Sequence, residues 1–174
     1  MLRIDSIERK IIPISELDKA IGRWELKGKR IVFTNGVFDI LHRGHVTLLS
    51  EAATLGDILV MGLNSDVSVR TLNKGSNRPI NAEQDRAFVL GGLSSVEAII
   101  IFDDSTPYDL IKQLKPDVLV KGGDYDPAQT NKNEKDYIVG SDLQRESGRA
   151  TVAIDFVQGY STTSVVNKMK DGKG

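Results

Sequence analysis

Apolar residues in this chain fall into two alternating patterns. Short continuous runs rich in branched side chains, "RIVF", "DILVMGL", "EAIIIF", "DVLV" and "ATVAIDFV", are separated by longer segments in which apolar positions recur at helical spacing. A continuous run reads as a strand buried on both faces, and the spaced segments as amphipathic helices. "SELDKAIGRWELKG" predicts a helix opened by Ser15, with Leu17, Ala20, Ile21 and Trp24 on one face. "GHVTLLSEAATLGD" predicts a helix ending at Gly56, "NAEQDRAFVLGGLSS" a helix with an acidic first turn, and "TPYDLIKQLKPD" a helix with Pro107 in its first turn, stopped before Pro116. "DYIVGSDLQRESG" and "STTSVVNKMK" complete the set, the last opened by Ser161. Strands alternating with helices predict an α/β fold, a Rossmann-like doubly wound parallel sheet of about five strands. Residues 1–27 read as a helical extension and 28–174 as the single domain proper.

In such folds ligands bind beyond the carboxyl ends of the strands, so the residues following each strand carry the functional question. After the first strand comes "TNGVFDILHRGH", which holds both histidines of the chain, His42 and His45. Gly36 lets the backbone approach a ligand closely. The helix that follows turns its free N–H groups to the same place, an anion site. Three readings stand side by side: the histidines face that anion; His42 caps the helix while His45 is a core histidine; or the pair binds a metal, although no Asp or Glu falls at helical spacing to complete it. Neither the dinucleotide fingerprint nor a P-loop is present. After the second strand, Asn64-Ser65-Asp66 caps the next helix or meets a ribose. Lys74, Arg78 and Arg86 follow, and alone read as solvated charges. Lys121 closes the fourth strand before two glycines and Asp124, where the crevice is expected. The polar insertion "DYDPAQTNKNEKD" reads equally as a solvated loop or a lid. After the fifth strand, "GYSTTS" sets Ser161, Thr162 and Thr163 at a helix start, a second anion site where capping alone explains one hydroxyl. Together these features gather on one sheet edge and suit a ligand with many negative charges.

Composition narrows the classes. With 23 basic and 24 acidic residues the net charge is −1, which supplies no field for nucleic acid. Cys is absent, which excludes a disulfide scaffold and thiolate zinc sites. No apolar run reaches the roughly 18 residues a membrane span needs, and the N-terminus lacks a secretory h-region, so a cytoplasmic location is the expectation.

H-R-G-H after "NGVFD", with "GYSTT" near the C-terminus, resembles the cytidylyltransferase-like nucleotidyltransferases, which carry G-x-F-D-x-x-H-x-G-H and a late S-T-T motif. The likeness runs over about residues 28–170. "RPIN" and "DVLVKGGDY" are most similar to the branch that adenylates a heptose 1-phosphate. In the glycerol phosphate branch a Lys and an Arg stand where this chain has Thr47 and Phe156. The resemblance implies transfer of AMP from ATP to a sugar 1-phosphate, with release of pyrophosphate. It implies that His42, His45 and Lys121 are catalytic. Thr34, Asn35, Gly36, Phe38, Gly44, Asp124, Ser161, Thr162 and Thr163 would bind the nucleotide, with Asn64, Asp66, Arg78 and Arg86 toward phosphate or substrate. Mg²⁺ would arrive with ATP, with Asp39 either ordering the loop or meeting metal. A homodimer and a separate sugar kinase as supplier of the acceptor belong to the same expectation. A CTP-using relative with another phosphorylated acceptor and a non-catalytic nucleotide sensor are the alternatives.

Overall fold

A computed structural model describes residues 4–72 and 78–155. Five parallel strands, β1 (Ile31–Gly36), β2 (Ile58–Asn64), β3 (Ala98–Phe102), β4 (Val118–Gly122) and β5 (Ala150–Ile154), form one sheet in the order β3-β2-β1-β4-β5. Each of the five apolar runs supplies a strand of this sheet, the last over Ala150–Ile154. The chain winds outward from β1 in one direction through β2 and β3, then returns to β4 on the other side. The crevice between β1 and β4 is therefore the topological switch point, where such sheets take their ligands.

Both faces are covered, which is why the strands are apolar without alternation. On one face α3 (Arg43–Ala53) and α5 (Glu83–Gly91) pack Leu48, Leu49, Ala52, Ala87 and Leu90 onto Val32, Met61 and Val120. On the other, α2 (Leu17–Leu26) and α6 (Tyr108–Leu114) pack Leu17, Ile21, Leu110, Ile111 and Leu114 onto Phe33, Val60, Ile100 and Leu119. The core helices are thus amphipathic, as their spacing predicted. Two short helices, α4 (Asp66–Thr71) and α7 (Ser141–Glu146), complete the described architecture with α1 (Ile4–Glu8). The expected terminal helix, with Ser161, lies outside the described residues, as do Phe156 and Lys74.

Several helix bounds differ from expectation, and the helix expected over "DYIVGSDLQRESG" is confined to Ser141–Glu146, behind Gly140 at φ of 90°. Ser15 does not cap α2: Ile14–Glu16 form a 3₁₀ turn behind Pro13, and α2 starts one residue later. Pro107 occupies the N-cap of α6 rather than its first turn. Helix α3 ends at Ala53, and Gly56 has another reason to be glycine: a Cβ there would lie 2.6 Å from Val32 Cγ2 and 2.8 Å from the Arg30 carbonyl oxygen.

The N-terminal segment is woven into the sheet margin. Ile99 N–H donates to the Lys10 carbonyl at 2.7 Å and Ile12 N–H to the Ile99 carbonyl at 2.9 Å, so residues 10–12 lie on the outer side of β3 and satisfy the edge groups of Ile99. At the opposite end of the strands from the switch-point turns, three carboxylates close the sheet. Asp57, Glu97 and Asp117 each stand just before a strand. They accept from backbone N–H groups of a neighbouring segment: Arg30 to Asp57 at 2.9 Å, Leu59 to Glu97 at 2.8 Å and Ile31 to Asp117 at 2.7 Å. Among the described residues no helix is long and apolar enough to cross a membrane.

Candidate active site

Strand β1 delivers the chain to the switch point through Thr34, which is buried, then Asn35 and Gly36. Phe38 follows with φ of 47°, the left-handed region that a bulky residue seldom adopts. Its ring folds back over Gly36: a Cβ on residue 36 would lie 2.6 Å from Phe38 Cε2. The same ring meets His45 with centroids 4.8 Å apart. Gly36 is therefore required by close approach, of the protein's own phenyl ring in this case.

His42 occupies the N-cap of α3 in an extended conformation, and its side chain makes no capping hydrogen bond. This disposes of the capping role. His45 is one turn in, and the two imidazoles stack with centroids 3.7 Å apart and planes 20° from parallel. The Nδ1 atoms of both are buried without a hydrogen-bond partner. Burial holds the His42 imidazole below its ordinary value. Burial, then repulsion by His42, brings His45 down to about 4, with the Ile40 backbone pulling weakly the other way. At neutral pH both rings are uncharged, each with one donor and one acceptor nitrogen. They lie at the start of an 11-residue helix whose first N–H groups open toward the same turn.

Across the crevice, Lys121 at the end of β4 donates to Asn35 Oδ1 at 3.0 Å, and its ammonium lies 5.5 Å from the Tyr125 ring centroid. Lys121 and Asn35 thus join the two strands at the switch point. The partnership was not foreseen, since the two residues are 86 apart in sequence. Asp124 is exposed on the turn beyond.

Asp39 is buried, and its carboxylate accepts from Arg78 Nη1 at 2.7 Å, Ile80 N–H at 2.8 Å and Asn81 N–H at 2.9 Å. Asn81 Nδ2 returns a bond to the Asp39 carbonyl at 2.6 Å. Burial alone would raise the Asp39 carboxyl, but these donors outweigh it and the net shift is downward. Both oxygens are engaged, which fits loop ordering. Among the described residues no group of three or more His, Asp or Glu could hold a metal ion.

Arg78 and Arg86 are not solvated surface charges. Arg78 pairs with Asp39. Arg86 is 2% exposed and donates to the Val37 carbonyl at 2.6 Å, the Asn81 carbonyl at 3.0 Å and Asp66 Oδ1 at 2.7 Å. Asp66 is thereby taken up as its counter-ion. Asn64 is buried and donates to Ser68 Oγ at 2.9 Å, while Ser65 caps α4 by accepting from Ser68 N–H. Each of these side chains is held by partners within the protein. Spacing could not reveal this, because a surface arginine and a buried one look alike in sequence.

The polar loop after β4 is exposed over much of its length but anchored. Lys132 pairs with Asp142 at 2.5 Å, Tyr108 donates to the same carboxylate oxygen at 3.2 Å, and Tyr137 and Ile138 are buried. Ser161, Thr162 and Thr163 lie outside the described residues.

A family model, Cytidylyltransferase-like, matches residues 33–168. Curated relatives include proteins named Bifunctional protein HldE. That of Campylobacter fetus subsp. fetus is 52% identical over 163 residues, 94% of this chain and 32% of its own length. That of Helicobacter pylori is 47% identical over 169 residues, 97% of this chain and 33% of its own. The chain spans about a third of the length of the curated relatives it matches. Among solved structures, a lipopolysaccharide core biosynthesis protein from Thermoplasma volcanium is 28% identical, with TM-score 0.57, covering 77% of this chain and 100% of its own. A pantoate-beta-alanine ligase from Francisella tularensis shares the fold at 14% identity and TM-score 0.59, covering 92% of this chain and 77% of its own.

Proposed function

Because the chain belongs to the cytidylyltransferase-like family, we propose that it is a nucleotidyltransferase that transfers AMP from ATP to a heptose 1-phosphate and releases pyrophosphate. The observation that carries this reading is the pair of stacked imidazoles, with buried and unpartnered Nδ1 atoms, at the start of α3 beside the switch point. A buried polar atom without a partner is costly, and an oligophosphate entering the crevice would supply the missing acceptors. The likeness to a lipopolysaccharide core biosynthesis protein suits a sugar acceptor.

The attacking group is a phosphate oxygen. A phosphate monoester has its second pKa near ~6 and is largely a dianion at neutral pH, so the reaction needs no general base. Its obstacle is electrostatic, an anion approaching a polyanion. Catalysis is therefore positioning and charge stabilisation at the α-phosphate. The acceptor oxygen forms a bond to the α-phosphorus as the bond from that phosphorus to the bridging oxygen breaks, and pyrophosphate carries the electron pair away. His42 and His45 donate hydrogen bonds where that charge accumulates, and the N–H groups at the start of α3 add to them. Lys121 is the cation on the far side of the crevice, steadied by Asn35. Ser161, Thr162 and Thr163 would hold the outer phosphates, and Asp124 the ribose. Mg²⁺ enters as part of the substrate, MgATP, since it favours phosphate oxygens and water. A cytoplasmic location, a homodimer and a sugar kinase activity that supplies the acceptor complete the proposal.

Pyrophosphate release measured with ATP or CTP against a panel of sugar 1-phosphates and glycerol 3-phosphate tests it. ATP with a heptose 1-phosphate should give the highest kcat/KM. Higher activity with CTP and glycerol 3-phosphate would move the chain to another branch, and binding of ATP without release from any pair would make it a sensor.

A further inference from the structure

Phe38 is strung between two held carbonyls. On its N-terminal side the Val37 carbonyl accepts from Arg86 Nη1 at 2.6 Å, and on its C-terminal side the Asp39 carbonyl accepts from Asn81 Nδ2 at 2.6 Å. A bulky residue at positive φ persists only where its surroundings over-determine it, and these bonds are what over-determines Phe38. The Phe38 ring bears on His45 and covers Gly36. Arg86 in turn is fixed by Asp66, whose own N–H donates to Glu83 Oε2 at 2.7 Å. A continuous path thus runs from the start of α4 through Asp66, Arg86, the Val37 carbonyl and Phe38 to the His45 ring.

Stability gives little reason for such a residue. A buried ion pair is often matched or bettered by apolar packing of similar volume. What a guanidinium supplies and an apolar group or a lysine does not is a rigid planar fork that reaches three acceptors in fixed directions. Here those acceptors are Val37, Asn81 and Asp66, on three separate segments around the histidine turn.

We infer that Arg86 is a positioning residue for adenylyl transfer: paired with Asp66, it fixes the Val37–Phe38 backbone and through the Phe38 ring sets the histidine stack, without touching substrate. This rests on the reading of the site as a nucleotidyltransferase centre and adds to it a residue that acts through another.

The chain contains only two histidines, and both are in this turn, so its histidine NMR spectrum reports the turn directly. The experiment compares wild type with Arg86→Lys in two measurements: histidine ring resonances followed through a pH titration, and steady-state kinetics with MgATP and the acceptor. In Arg86→Lys the His45 titration midpoint should rise from about 4 toward the ordinary value of 6.5. Turnover should fall by about tenfold or more while KM for ATP stays within about threefold, the pattern of a lost transition-state alignment. If instead KM for ATP rises with turnover and histidine resonances unchanged, Arg86 binds phosphate directly and the inference is wrong. Unchanged spectra with lower turnover overturn it as well. If Arg86→Lys does not fold, Asp66→Asn, which keeps the shape of the pair and removes its charge, carries the same two readings. Should the wild type release no pyrophosphate with any substrate, the functional reading fails, yet the histidine spectra of the two proteins still decide whether Arg86 sets the stack.

Discussion

Two imidazolium ions would not rest with ring centroids 3.7 Å apart, whereas two neutral imidazoles can. Holding His45 neutral has a consequence for stability. Its native value of about 4 lies below the ordinary 6.5, so between those values the unfolded chain binds a proton that the native state does not. Stability from this group is therefore complete above about pH 6.5 and declines as pH falls toward 4. Denaturant midpoints measured from pH 7 to pH 4 should fall over that window in wild type, and His45→Gln should flatten part of the slope. Asp39 titrates in a lower window, since its carboxyl is depressed below its ordinary 3.8. In kinetics, His42→Ala and His45→Ala should each lower turnover by about a hundredfold, roughly 3 kcal/mol, with ATP affinity little altered, because donors of this kind act on the transition state. Single-turnover rates beside equilibrium ATP binding would show the division. Near-normal turnover in either variant would remove that histidine from the chemistry. The histidine pair was legible in the sequence from its placement alone, after a strand and before a helix. Its unpartnered Nδ1 atoms and its stacking were not, because both are set by side-chain packing in the folded turn, where Phe38 lies against His45 at a backbone angle that no residue pattern announces.

At the scale of elements, the turn between β1 and α3 is the part with least tolerance. Gly36→Ala would drive a methyl group to within 2.6 Å of the Phe38 ring, so the ring must move and take its contact with His45 along. Small-to-large changes in packed sites typically cost about 1–3 kcal/mol. The expected outcome is a folded protein with a lower melting midpoint and a disproportionate loss of turnover, read by calorimetry and the pyrophosphate assay on the same sample. The strands were legible throughout, since a strand buried on both faces has no polar alternation to confuse it. Helix starts were harder. Ser15 has the right side chain for a cap, but the chain leaves Pro13 in a 3₁₀ turn and passes the helix start beyond it. Arg86 was misread for a related reason. Its place in the helical pattern was visible, but its partners are a carboxylate 20 residues away and two backbone carbonyls, which only the folded chain assembles.

For the molecule as a whole, the order of strands and helices was sufficient to predict a doubly wound sheet and to point at the switch crevice. What it left open was how the ends of the sheet are closed. Phe88 and Val89 on α5 are 38% and 54% exposed, with Val67 and Ile80 also open, so part of the "FVLGGL" run faces outward while Leu90 is buried. This face is the one expected to join two copies. Light scattering at micromolar concentration should give the mass of a dimer, and Val89→Lys should lower it; a monomer mass for wild type would remove the proposal. The carboxylates of Asp57, Glu97 and Asp117 have a different bearing. Each holds a neighbouring segment by its first amides at the end of the sheet remote from the switch crevice. Strand register is thereby supported at a foundation remote from the switch crevice. The turns at the working end can then be rewritten, in length and in chemistry, without re-registering the sheet beneath them. Descent within such a fold can change what is transferred, and onto what, while the architecture stays put.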